Sequence, residues 1–125
     1  MRVPTTIVAL IASVATVLAT PAFGQSEEDF TPVGYEFCGW LNLGEGTWTY
    51  GDPEDGAWLR LFARDMTCRS ARRNYGRVRY TQRPPYRPVK PGYRCRTLDS
   101  DYEYGDVRCA KQGKSRVAFR WQTGS

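Results

Sequence analysis

The spacing of apolar positions along this chain changes several times, and each change predicts an element. Residues 7–18 are an unbroken run of apolar and small side chains. Further on, 46–50 (GTWTY) and 58–64 (WLRLFAR) read as strands. The turn-rich Gly51-Asp52-Pro53-Glu54-Asp55-Gly56 between them predicts a hairpin. In the second strand Leu59, Leu61 and Ala63 share one face, while Trp58, Phe62 and two arginines share the other. Thr67 then stands where an N-cap belongs. Cys68, Ala71, Tyr75 and Val78 follow at helical spacing, with Arg69, Arg72, Arg73, Arg77 and Arg79 on the remaining side. Gly76 costs such a helix about 1 kcal/mol relative to Ala. The helix must end before Arg83-Pro84-Pro85, and 83–92 (RPPYRPVKPG) should be extended, with polyproline character. Short strands are predicted at 93–97, 107–111 and 116–121, the last two flanking a tight Gln112-Gly113-Lys114 turn.

The first apolar run belongs to a different category. Arg2, the run itself and the small residues of Ala22-Phe23-Gly24 have the order of a secretory signal peptide, so 1–24 is expected to be cleaved near Gly24/Gln25. The run is short for a membrane span, and no cysteine stands at the cleavage point to carry a lipid. The expected mature chain is therefore secreted, with no transmembrane span, into an oxidising compartment. Within it, 25–33 is polar and acidic and reads as a flexible arm. Residues 34–125 are one domain in length. Both isoleucines leave with the leader. What remains is five Leu, five Val and Met66 against four Trp, eight Tyr and four Phe, so the core must be built from aromatic rings. A core of that kind is normally reinforced by disulfides.

Composition also removes chemistry. The chain has no histidine. Ser-His-Asp and Cys-His nucleophile arrangements are thereby excluded, together with the commonest zinc ligand. Cys38, Cys68, Cys95 and Cys109 include no C-x-x-C pair, which argues against both a zinc site and a redox-active disulfide. No metal or cofactor is expected, and an enzymatic role is disfavoured. Four cysteines allow three pairings. Antiparallel pairing of 93–97 with 107–111 sets Cys95 opposite Cys109 and leaves Cys38 for Cys68, tying the first segment to the start of the helix.

One pattern is more specific. It consists of Cys38-Gly39, a strand pair, Thr67-Cys68-Arg69-Ser70-Ala71-Arg72, Gly92-Tyr93-Arg94-Cys95, Val107-Arg108-Cys109 and finally Arg116-Val117-Ala118-Phe119. It resembles small exported domains of unknown function found in actinobacteria, over most of the mature chain. The resemblance implies an α+β fold, two disulfides and bacterial export. It implies no activity.

Charge is segregated. Residues 25–59 hold eight acids and no base, while 60–96 hold twelve bases and a single acid, Asp65. The expected fold is α+β: a small antiparallel sheet with one amphipathic helix packed on it and two disulfides. The candidate binding residues are the helix arginines Arg69, Arg72, Arg73, Arg77 and Arg79, followed by Arg83, Arg87, Lys90, Arg94 and Arg96. They point to a polyanion such as an anionic cell-wall polymer, a lipid headgroup surface or nucleic acid. The same bases could instead neutralise the acidic first segment or form a solvated face. Tyr35, Trp40, Trp48, Tyr50 and Trp58 offer a sugar-stacking platform, or else they are core. Pro84-Pro85-Tyr86-Arg87-Pro88 resembles SH3 and WW ligands, but in an exported chain it is better read as a rigid connector. Asp99, Asp101, Glu103 and Asp106 read as a solvated turn. The expected function is non-enzymatic binding at the cell envelope or in the extracellular space. The alternative is a small secreted inhibitor or effector of another extracellular protein.

Overall fold

The alternation in WLRLFAR becomes a central strand. In the computed structural model, which describes residues 30–51, 56–101 and 104–124, strand β3 (Trp58–Arg64) pairs with β1 (Glu36–Asn42) on one side and β8 (Lys114–Gly124) on the other. The antiparallel sheet runs in the order β2-β1-β3-β8-β7-β6, where β2 is Thr47–Thr49, β6 Tyr93–Ser100 and β7 Gly105–Lys111. A two-stranded ribbon, β4 (Arg79–Tyr80) with β5 (Pro88–Val89), lies outside it. One helix, α1 (Cys68–Tyr75), packs on the sheet. Strand far outweighs helix, so the α+β expectation is corrected to a sheet capped by a single short helix. The expected leader and most of the acidic arm lie outside the described residues, as do Asp52 to Asp55.

The predicted hairpin between 46–50 and 58–64 is not formed. β2 pairs with β1, and β1 separates it from β3. β1 escapes an alternation reading because Cys38, Gly39 and Trp40 are buried in succession, with the register shifting between Phe37 and Trp40. Gly39 makes this bulge possible. Its φ is 105°, and a Cβ there would stand 3.0 Å from the Thr49 carbonyl oxygen.

The helix starts as predicted. Thr67 Oγ1 accepts a hydrogen bond from the Ser70 amide at 3.1 Å. It ends earlier than predicted. Beyond Tyr75 the amides of Arg77 and Val78 bond back only three residues, to Asn74 and Tyr75. Glycine at position 76 stops the helix there rather than being tolerated inside it. The chain then turns into β4. Residues 83–92 are likewise not a free polyproline stretch. Thr81 Oγ1 accepts from the Arg87 amide and donates to the Pro85 carbonyl, and the Thr81 amide donates to Arg87, folding the segment back into β5.

Period-two alternation gives the sheet two faces. The helix face carries Leu59, Leu61 and Ala63 from β3, Phe119 and Trp121 from β8, Val107 and Cys109 from β7, and Ala71 from α1, all buried. Rings continue this core as a chain of contacts from Trp48 to Tyr75, Trp121, Phe119 and Tyr93, with centroids 5.3–6.2 Å apart. Each such pair contributes about 0.5–1.5 kcal/mol beyond its buried area. Both expected disulfides are present. Cys38–Cys68 ties β1 to α1, and Cys95–Cys109 joins directly opposed residues of β6 and β7.

Candidate functional site: an arginine row on the open face of the sheet

The other face is built from the residues between those core positions. Near β1 it is aromatic: Trp40 meets Phe30, Phe37 and Trp58 edge-on, and Phe37 touches Phe62. The Arg60 guanidinium lies over the Phe30, Trp40 and Trp58 rings, at 4.2, 5.4 and 5.1 Å from their centroids. The five rings weighed as a sugar platform are therefore divided. Trp48 packs with the helix-face core, Trp40 and Trp58 join this second cluster, Tyr35 lies against Arg64 and Arg120 at 4.9 and 5.9 Å, and Tyr50 is exposed beside Arg72.

Towards β6 the face changes character. The pairings Phe62↔Arg120, Arg108↔Arg120 and Arg96↔Arg108 set three arginines side by side on β8, β7 and β6, at steps of about 4.8 Å. The next row along the strands reads Arg64↔Ala118, Ala110↔Ala118 and Arg94↔Ala110. Two alanines make its floor, with an arginine at each end. Arg64, Arg108, Ala110, Ser115 and Arg116 line a shallow concavity there. A second one, bordered by Arg94, shares Ala110 and Ser115 with it.

These arginines are held differently. Arg120 is fixed: its Nε and Nη2 donate to Asp106 Oδ1 and Oδ2 at 2.8 and 2.6 Å. Gln122 Nε2 also donates to Asp106, at 3.3 Å, and Arg60 Nη2 donates to Gln122 Oε1 at 2.6 Å. The bond to Asp106 raises the Arg120 pKa further above its ordinary value. Asp106 is buried in β7, which corrects its placement among solvated turn carboxylates. Asp101 does serve the turn, accepting from the Tyr104 amide, and Glu103 lies outside the described residues. Arg64 donates to the Ser115 and Arg116 carbonyls, and Arg116 forms an exposed 3.5 Å pair with Asp65. Among the described residues no carboxylate pairs with Arg94, Arg96 or Arg108.

The helix arginines split in the same way. Arg72 turns inward: its Nη2 donates to the Cys38 carbonyl at 2.6 Å, and its guanidinium lies 5.3 Å from the Trp48 ring centroid. It clamps α1 to β1 and is withdrawn from the expected solvent-facing set. Arg77 and Arg79 lie beyond the end of the helix, so the five do not form one helix face, and Arg79 donates to the Gly76 and Val78 carbonyls. Arg69 and Arg73 remain exposed on α1, and Arg77 is exposed just after it. Among the described residues no ion pair joins these bases to Glu36 or Glu45.

Arg108, Arg116 and Arg120 were not among the sequence candidates. Their signal was present as arginines at alternate positions of strands whose other positions are apolar. Among the described residues no three His, Cys, Asp or Glu side chains gather as a metal site, and no helix is long and apolar enough to cross a membrane. Comparison with family models, with curated proteins and with solved structures gives no match to this chain.

Proposed function

We infer that the protein is an exported, non-enzymatic binding protein that engages a polyanion through the arginines of the open face. Export rests on the leader pattern, the two disulfides and the likeness to exported actinobacterial domains. The binding reading is carried by one observation, the directly opposed Arg96, Arg108 and Arg120. Like charges facing each other across a sheet destabilise it, and only Arg120 has its charge answered by a carboxylate within the described residues. Arg120 is engaged with Asp106, but among the described residues no ion pair accounts for Arg96 or Arg108. Such a row suits a ligand with repeated negative charges. Guanidinium forks bind phosphate, sulfate and carboxylate groups bidentately, and Arg94 and Arg96 are exposed, with Arg108 half-buried beside them.

Retention on a heparin matrix as a function of salt tests this. Two variants matched in charge are compared: Arg94→Gln/Arg96→Gln/Arg108→Gln and Arg69→Gln/Arg73→Gln/Arg77→Gln. Each lost contact should reduce the salt slope by about one. The sheet variant should therefore lose two to three units of slope, and the helix variant less than one. Equal elution of the sheet variant and the parent would overturn the assignment.

A further inference from the structure

A second surface, independent of the open-face site, stands on the opposite side of the molecule. The β4–β5 ribbon presents Tyr86, Tyr80 and Val89 with 63%, 54% and 48% of their surface exposed. Arg79, Arg83 and Arg87 are interleaved with them and are also exposed. Between Asp65 and Asp99 the sequence contains no acid at all. The ribbon is not loose. Pro88 is buried at its base, and the Tyr80 hydroxyl lies near the Trp121 side chain of the helix-face core. Thr81 ties the two arms together through its amide and hydroxyl. Exposed Pro84, Pro85 and Tyr86 thus form a fixed tip rather than a wandering loop.

We propose that this ribbon docks on the surface of an anionic phospholipid bilayer, with Tyr86 entering the headgroup layer. Tyrosine has an apolar body and a polar tip, the combination favoured at a membrane–water interface. Flanking arginines supply the attraction to anionic headgroups, which falls off within a Debye length. A bilayer interface removes the exposed tyrosine, two prolines and valine from water. Because the tip is already ordered, docking costs little conformational entropy. The open-face arginines would then point away from the bilayer and remain free.

Cosedimentation of the full mature chain with phosphatidylglycerol/phosphatidylcholine vesicles, and with phosphatidylcholine alone, provides the test. The parent should bind the anionic vesicles at low salt and the neutral ones negligibly. Arg83→Gln/Arg87→Gln should weaken partitioning by about thirtyfold, and Tyr86→Ser should weaken it several-fold. Arg94→Gln/Arg96→Gln/Arg108→Gln should leave it largely intact. A Tyr86→Trp chain should show a blue-shifted difference emission, quenched by brominated lipid. Three results would overturn the proposal: no binding by the parent, ribbon variants that bind like the parent, or a Tyr86→Trp signal unmoved by vesicles. If vesicle binding is lost only with the open-face variant, that face alone holds anions and the ribbon is not the docking element. If the ribbon variants instead lose heparin retention, with no change at Tyr86→Trp, the ribbon is a site for a soluble polyanion.

Discussion

Replacing Cys38 and Cys68 together by alanine is expected to cost more stability than removing the other bridge. The bridge spans 30 residues, for which the chain-entropy estimate is about 3.5 kcal/mol. Cys38 is fully buried in the core, so a cavity adds to that figure. The bridge is also the covalent link between α1 and the sheet, beside the Arg72 bond to the Cys38 carbonyl. A domain of this size has a total stability of about 5–15 kcal/mol. The melting temperature should fall by about 15–25 °C, with the double variant near the threshold of folding at 37 °C. Removing Cys95–Cys109, which spans 14 residues, should cost somewhat less, about 3 kcal/mol. Thermal unfolding by circular dichroism gives both values. A larger loss at the shorter bridge would contradict the assignment of Cys38–Cys68 as the main staple.

Asp106→Asn should be the most damaging change to a single charged residue on the open face. It removes the charge that Arg120 grips with two hydrogen bonds while leaving the guanidinium only partly exposed. It also disturbs the Gln122 contact that continues to Arg60. Breaking one side of a buried pair typically costs about 3–5 kcal/mol. Since Arg120 retains some exposure, the lower end is expected in urea denaturation. A double variant, Asp106→Asn/Arg120→Met, should recover much of the loss, because the isolated charge is then gone. Asp99→Asn, at the exposed residue opposite Asp106 on β6, should change stability by less than about 0.5 kcal/mol. A neutral Asp106→Asn would mean that the network is ornamental to the fold.

Much of this architecture was legible because its signals are local. Alternation in β3, β7 and β8 identified their core faces, and antiparallel pairing of 93–97 with 107–111 about the turn at 101–103 sets Cys95 against Cys109. β1 was missed for an equally local reason: Gly39 breaks the alternation with a bulge, so Cys38 and Trp40 are buried in sequence. Without that strand, 46–50 was assigned the wrong neighbour. The arginines were misjudged because two periodicities compete. Between Arg69 and Arg79 a helical stripe looks continuous, yet Gly76 ends the helix after Tyr75 and Arg72 turns inward. The sheet arginines are spread over four strands, and only the strand order brings Arg96, Arg108 and Arg120 into one row. Asp106 could not be separated from the turn acids by sequence, since its partners Arg120 and Gln122 lie on the next strand.

The most direct test of the binding surface is a side-chain NMR titration. Arginine Nε–Hε resonances are followed while a short sulfated or phosphorylated oligomer is added at low salt. The largest shifts should fall on Arg94, Arg96 and Arg108, with Arg72 and Arg120 little moved because their guanidinium groups are already held within the protein. Shifts confined to Arg69, Arg73 and Arg77, or no saturable shift on any arginine, would contradict the open-face site.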